Sequence, residues 1–147
     1  MATPTFVDFY NGFPTQIGTE VHQLNSDTIN LMLHTSVPTA SWDADADVTN
    51  ELSGNGYTTG GEALDNAAFA VDSTDKAKFD SDGETITAGS GGLTFSYWSL
   101  INATSDHLIC YGTVDGGSDV VLASGESFTL NPDPTNGWFR IGLGTLS

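Results

Sequence analysis

Apolar side chains recur at every second position through Ile29, Leu31 and Leu33, and this period predicts a strand over Asp27–His34 with one buried face, ended by Pro38. Leu93, Phe95 and Tyr97 repeat the period, and from Trp98 to Ile101 the chain turns apolar on both sides, as a central strand requires. Strand-length pieces also occur at 67–71, 76–80, 84–87, 107–114, 119–123, 126–130 and 138–143, each bounded by Asp, Asn, Ser or Gly. In the last piece Trp138, Arg140 and Gly142 oppose Phe139, Ile141 and Leu143. No segment shows a convincing helical period. About eight or nine short strands, with no internal repeat and no long linker, predict an all-β, single-domain fold: an antiparallel β-sandwich or barrel-like domain.

Glycine supplies the turns. The stretch from Glu51 to Gly61 holds Gly54, Gly56, Gly60 and Gly61, and its Asn55-Gly56 pair predicts a tight turn into a strand at Tyr57, then a bulge or second turn at Gly60-Gly61. A phosphate cradle fails on context, because neither a helix start nor a Lys-Ser/Thr pair follows. Residues 27–147 make up the predicted β domain, and residues 1–26 read as an N-terminal arm or edge strand. Phe6, Phe9, Tyr10 and Phe13 near that end are candidates for a contact with a neighbouring subunit; the alternative is that they complete the domain's own sheet.

Composition then narrows the function. Apolar residues make up 38% of the 147 and aromatics 10%, enough for one ordinary core. Nineteen Asp and Glu against three Lys and Arg give a formal charge of -16, which argues against nucleic acid and anionic membrane as partners, since both are gripped through Lys and Arg. The apolar runs are too short to span a bilayer, and no basic segment opens the chain, whose first Lys is Lys76; synthesis and folding in a cytoplasm are expected.

Candidate chemistry is sparse. Cys110, the single cysteine, sits in an apolar strand pattern and reads as buried and inert. His22, His34 and His107 are far apart and lack zinc-ligand spacing, and no Gly-x-Ser-x-Gly elbow occurs. Asp43, Asp45 and Asp47 resemble the opening of a calcium loop, but Val48 and Gly54 stand where an EF-hand needs Gly and Glu; a solvated acidic loop is expected, with a divalent site as the alternative. Trp42, Trp98 and Trp138 offer a sugar platform only if exposed, and two of them lie in strands. No cofactor and no catalytic group are expected, so the chain reads as a non-enzyme.

Asp27–Leu33, Val37-Pro38-Thr39-Ala40 and the turn from Asn50 to Gly61, followed by Phe95–Ile101, Phe128-Thr129-Leu130 and Asn136-Gly137-Trp138, resemble a family of small tailed-phage and prophage virion proteins. The likeness runs from Asp27 to the carboxyl terminus, and the glycine turn is its most specific part. It implies a structural protein without catalytic residues, in the role of a capsid decoration or cement protein on the capsid exterior. Its implied partners are the major capsid protein and copies of itself, a trimer suiting a three-fold position. A tail or connector component, or a glycan-binding β module on the virion surface, are the alternatives.

Overall fold

Both faces of the segment with the clearest apolar alternation are buried, and the arrangement of sheets explains why. The computed structural model describes residues 4–73 and 75–142. In chain order its strands are β1 (Thr5–Phe9), β2 (Ile29–His34), β3 (Glu62–Ala63), β4 (Ala68–Ser73), β5 (Lys76–Asp80), β6 (Glu84–Thr87), β7 (Leu93–Phe95), β8 (Tyr97–Asn102), β9 (His107–Thr113), β10 (Val120–Leu122), β11 (Ser127–Leu130) and β12 (Phe139–Gly142). A five-stranded sheet runs β1-β9-β8-β2-β3; a three-stranded sheet runs β12-β5-β4; β10-β7 and β11-β6 are pairs. Every pairing is antiparallel. The chain is a nearly all-β, sandwich-like single domain, with twelve strands among the described residues where the sequence suggested about eight or nine.

Successive side chains on a strand point to opposite faces, so β2 serves two cores at once. Ile29, Leu31 and Leu33 enter the main core with Trp98 and Leu100 of β8, meeting Phe79 and Phe139 from the three-stranded sheet and Trp138 just before β12. Met32 enters a second cluster with Tyr10, Ile101, Leu108 and Tyr111, covered by Trp42 and Val48. Trp98 and Trp138 are fully buried and meet edge to face at 5.2 Å, a geometry that adds about 0.5–1.5 kcal/mol beyond area burial.

The segment read as one strand from Leu93 to Ile101 breaks at Ser96. There the backbone leaves one sheet for another: β7 pairs with β10, whereas β8 lies between β2 and β9. Ser96 N–H donates to His34 O at 3.0 Å, and Val114 N–H donates to Ser96 O at 3.0 Å, so the crossing leaves its polar groups paired.

Near the amino terminus, β1 pairs with β9 and forms one edge of the five-stranded sheet. Phe6 lies opposite Gly112, where a Cβ would strike Thr5 O and the Trp98 ring. A short helix, α1 (Phe13–Gly18), follows, with Pro14 in its first turn; its six residues are too few to show a helical period, so the pattern hid it. The face formed by Phe139 and Ile141 was expected to continue to Leu143, which lies outside the described residues.

Candidate functional site

Tyr10 and Phe13 are each 1% exposed, which corrects their assignment as contact residues: Tyr10 fills the second core, and Phe13 packs in the main core against Phe139, at 5.8 Å between rings. Phe9 is half-buried and stacks on Phe13 at 4.7 Å. Phe6 is 38% exposed and its neighbour Val7 49%, so the outward part of this segment is the Phe6-Val7 end of β1. Phe6 also lines a cleft of about 440 Å³ with Pro4, Asp133, Asn136 and Arg140, between the start of β1 and β12.

Two histidine networks are built into the interior. On the second-core face of the five-stranded sheet, Asn50 spends its Nδ2 on Ser36 O at 2.8 Å, leaving Oδ1 to accept from His34 Nδ1 at 2.9 Å. His34 Nε2 then accepts from Ser99 Oγ at 2.6 Å. The order hydroxyl, imidazole, amide matches the logic of an activated nucleophile. Both His34 and Ser99 are fully buried between β2 and β8, out of reach of a substrate, and in this arrangement the chain of bonds joins the two strands to the Asn50 loop. Burial lowers His34 from the usual 6.5 to about 4, against the opposing hydrogen bond to Asn50.

The second network starts at Gln16 in α1. Gln16 Nε2 donates to Asp43 Oδ1, and its Oε1 accepts from His22 Nε2 at 2.9 Å. His22 Nδ1 therefore accepts from Asn102 Nδ2, at 3.2 Å, and Asn102 also donates to Asp27 Oδ2 at 2.6 Å. A second proton on His22 would face the Asn102 amide donor. Burial, helped by the nearby His107, lowers His22 to about 4. This network ties the N-terminal segment to the ends of β8 and β9 and accounts for Asp43, whose Oδ2 also lies 3.8 Å from His107 Nε2.

Of the remaining acids of that loop, Asp47 is engaged locally. A 3-10 turn covers Asp45–Asp47, and Asp47 Oδ2 accepts from Asp43 N–H at 2.9 Å and Ala44 N–H at 3.2 Å, holding its carboxyl below the usual range. Among the described residues no three His, Cys, Asp or Glu side chains converge as metal ligands. Trp42 is half-buried against the second core, and Trp98 and Trp138 are buried. Cys110 is buried, and desolvation pushes its thiol well above the ordinary range.

The glycine turn packs against β2. Gly56 has φ +92, and a Cβ there would meet Thr87 O at 2.5 Å; Gly61 has φ +79 and backs onto Leu31 O. Tyr57 OH accepts from Leu33 N–H at 3.1 Å and donates to Glu51 Oε1 at 2.6 Å, which also accepts from Gly60 N–H at 2.7 Å. Tyr57 sits in a turn, not in the strand expected for it, because Gly54 and Tyr57 bridge each other across it.

Charge is sorted over the surface in a way the sequence did not reveal. Lys76, Lys78 and Arg140, the three cations of the chain, all lie on the β12-β5-β4 sheet, where the register sets Arg140 opposite Lys78. Like charges on paired positions repel, and two ion pairs offset this: Lys78 with Asp80 and Arg140 with Asp72, each at 2.9 Å. With Asp75 in the connecting turn, this sheet carries three cations and three acids. The other 16 acids, 19 less these 3, account for the whole net charge of -16.

The chain matches no protein-family model, no curated protein and no solved structure.

Proposed function

We propose that the protein is a virion structural protein, a capsid decoration protein that binds the outer surface of a shell of major capsid protein and stabilises it. The observation that supports this reading most is the charge sorting: a charge of -16 lies wholly outside one near-neutral sheet. Packaged genome repels such a molecule from the inner wall, whereas the outer wall carries no comparable density of phosphate. The contact with the shell is assigned to the free edge of β1, where Phe6 and Val7 are exposed beside the cleft bounded by Asn136 and Arg140. A lattice repeats a modest contact many times, and a molecule that binds only the assembled shell stabilises it by mass action. The role is adhesive, with no bond made or broken. The family resemblance points the same way.

Cosedimentation with undecorated shells of the same virus tests this. Binding is expected to raise the temperature at which the shells disrupt, and Phe6→Asp together with Val7→Asp is expected to weaken binding about tenfold or more. Binding untouched by the double substitution refutes the β1 contact, and a protein that never binds shells refutes decoration. The cleft beside Phe6 favours one second reading, a glycan-binding module on the virion surface, which glycan-array binding would support.

A further inference from the structure

At the far end of the three-stranded sheet the inward face runs out past the core. Phe69, Phe79 and Phe139 stand in register and pack together, and one pair further along the same face come Val71, Ala77 and Ile141. Val71 is 80% exposed, and with Phe69, Ala77 and Ile141 it lines an almost wholly apolar cleft of about 300 Å³. Lys76 and Asp75 stand on its rim. Both are exposed, and neither has an ion pair among the described residues, in contrast to the paired Lys78 and Arg140.

We infer that this cleft is a docking surface for the same cleft on a second copy of the chain, in a two-fold contact. Charge decides the occupant. Two copies carrying -16 each repel most where their acidic surfaces meet, and the β12-β5-β4 sheet is the region where they approach with the least of that penalty. The rim is also self-complementary: a two-fold axis sets Lys76 of one copy against Asp75 of the other, twice, while Val71 of each covers the partner's apolar cleft. The contact runs through side chains and does not extend the sheet. At the open edge of β4, Asn25 already accepts from Phe69 N–H at 2.7 Å and donates to Phe69 O at 3.0 Å, occupying the backbone groups a further strand would need at that position. This inference is independent of the virion reading, and a free dimer in solution needs no shell.

Sedimentation velocity on the full chain, from micromolar to submillimolar concentration, tests it. A monomer–dimer equilibrium is expected that tightens as salt is added, because salt screens the general repulsion while the apolar contact persists. Val71→Asp and Lys76→Glu, both at exposed positions, are each expected to weaken dimerisation about tenfold or more with the melting temperature nearly unchanged. A protein that stays monomeric throughout overturns the inference. So does a trimer, an association that loosens with salt, or a dimer indifferent to Val71→Asp. Shell binding measured separately on the same variants distinguishes failure here from failure of the decoration role.

Discussion

His34 makes the fold acid-sensitive by an amount that follows from its surroundings. Its ring is sealed between Asn50 and Ser99, and burial lowers it to about 4 from 6.5. In the unfolded chain His34 takes its proton first. The stabilisation is therefore complete above about pH 6.5 and is lost as pH falls toward about 4, below which both states are protonated. At about 1.4 kcal/mol per pH unit the window holds about 3 kcal/mol, of which about 2 kcal/mol disappears between about pH 7 and about pH 5. Urea unfolding followed by tryptophan fluorescence at those two pH values, on the native chain and on His34→Gln, isolates the effect. The glutamine does not titrate, and the subtraction cancels the carboxylates, whose mutual repulsion on a -16 chain eases in acid and acts in the opposite direction. The variant is expected to be less stable at neutral pH, with a change between the two pH values about 2 kcal/mol less destabilising than that of the native chain. Equal changes in the two proteins would refute the reasoning.

Gly61→Ala places a side chain at φ +79 against Leu31 O and is expected to lower unfolding free energy by about 1–3 kcal/mol in the same urea assay; a neutral result contradicts the packing of the turn on β2. Tyr57→Phe removes the acceptor of the buried Leu33 N–H and the donor to Glu51, with an expected loss of about 1–3 kcal/mol. Since burial holds the Glu51 carboxyl above its usual range, Glu51→Gln is expected to lose less than Tyr57→Phe. Millimolar calcium is expected to leave the melting midpoint unmoved, since Asp47 caps its own turn and Asp43 is held by Gln16; an upward shift would contradict that assignment.

The strands that carry the core were legible because burial sets their side-chain pattern: one apolar face, Ile29, Leu31 and Leu33, for β2, and the two-sided apolar run around Trp98 for β8. The fate of the N-terminal aromatics was not legible. Whether Tyr10 and Phe13 face a neighbour or their own core depends on β1 pairing with β9, a contact about a hundred positions away in the chain. The break at Ser96 was equally hidden, since the alternation of side chains continues through a backbone that changes sheets. The candidate surfaces suffered most. Lys76 and Lys78 are neighbours in sequence, but Arg140 joins them only through the register of β12 on β5, and composition alone reports a total charge with no position. Likewise, His22, Gln16 and Asn102 show no motif, because their hydrogen bonds are assembled by the fold.

The central claim, an anionic β tile adhering to the outside of a protein shell, is tested most directly by a cryo-EM reconstruction of the virion at a resolution that places this fold. Density for the domain is expected on the outer capsid surface, with the Phe6-Val7 edge of β1 against the shell and the acidic surface turned to solvent. Density against the packaged genome, or in the tail alone, would contradict it.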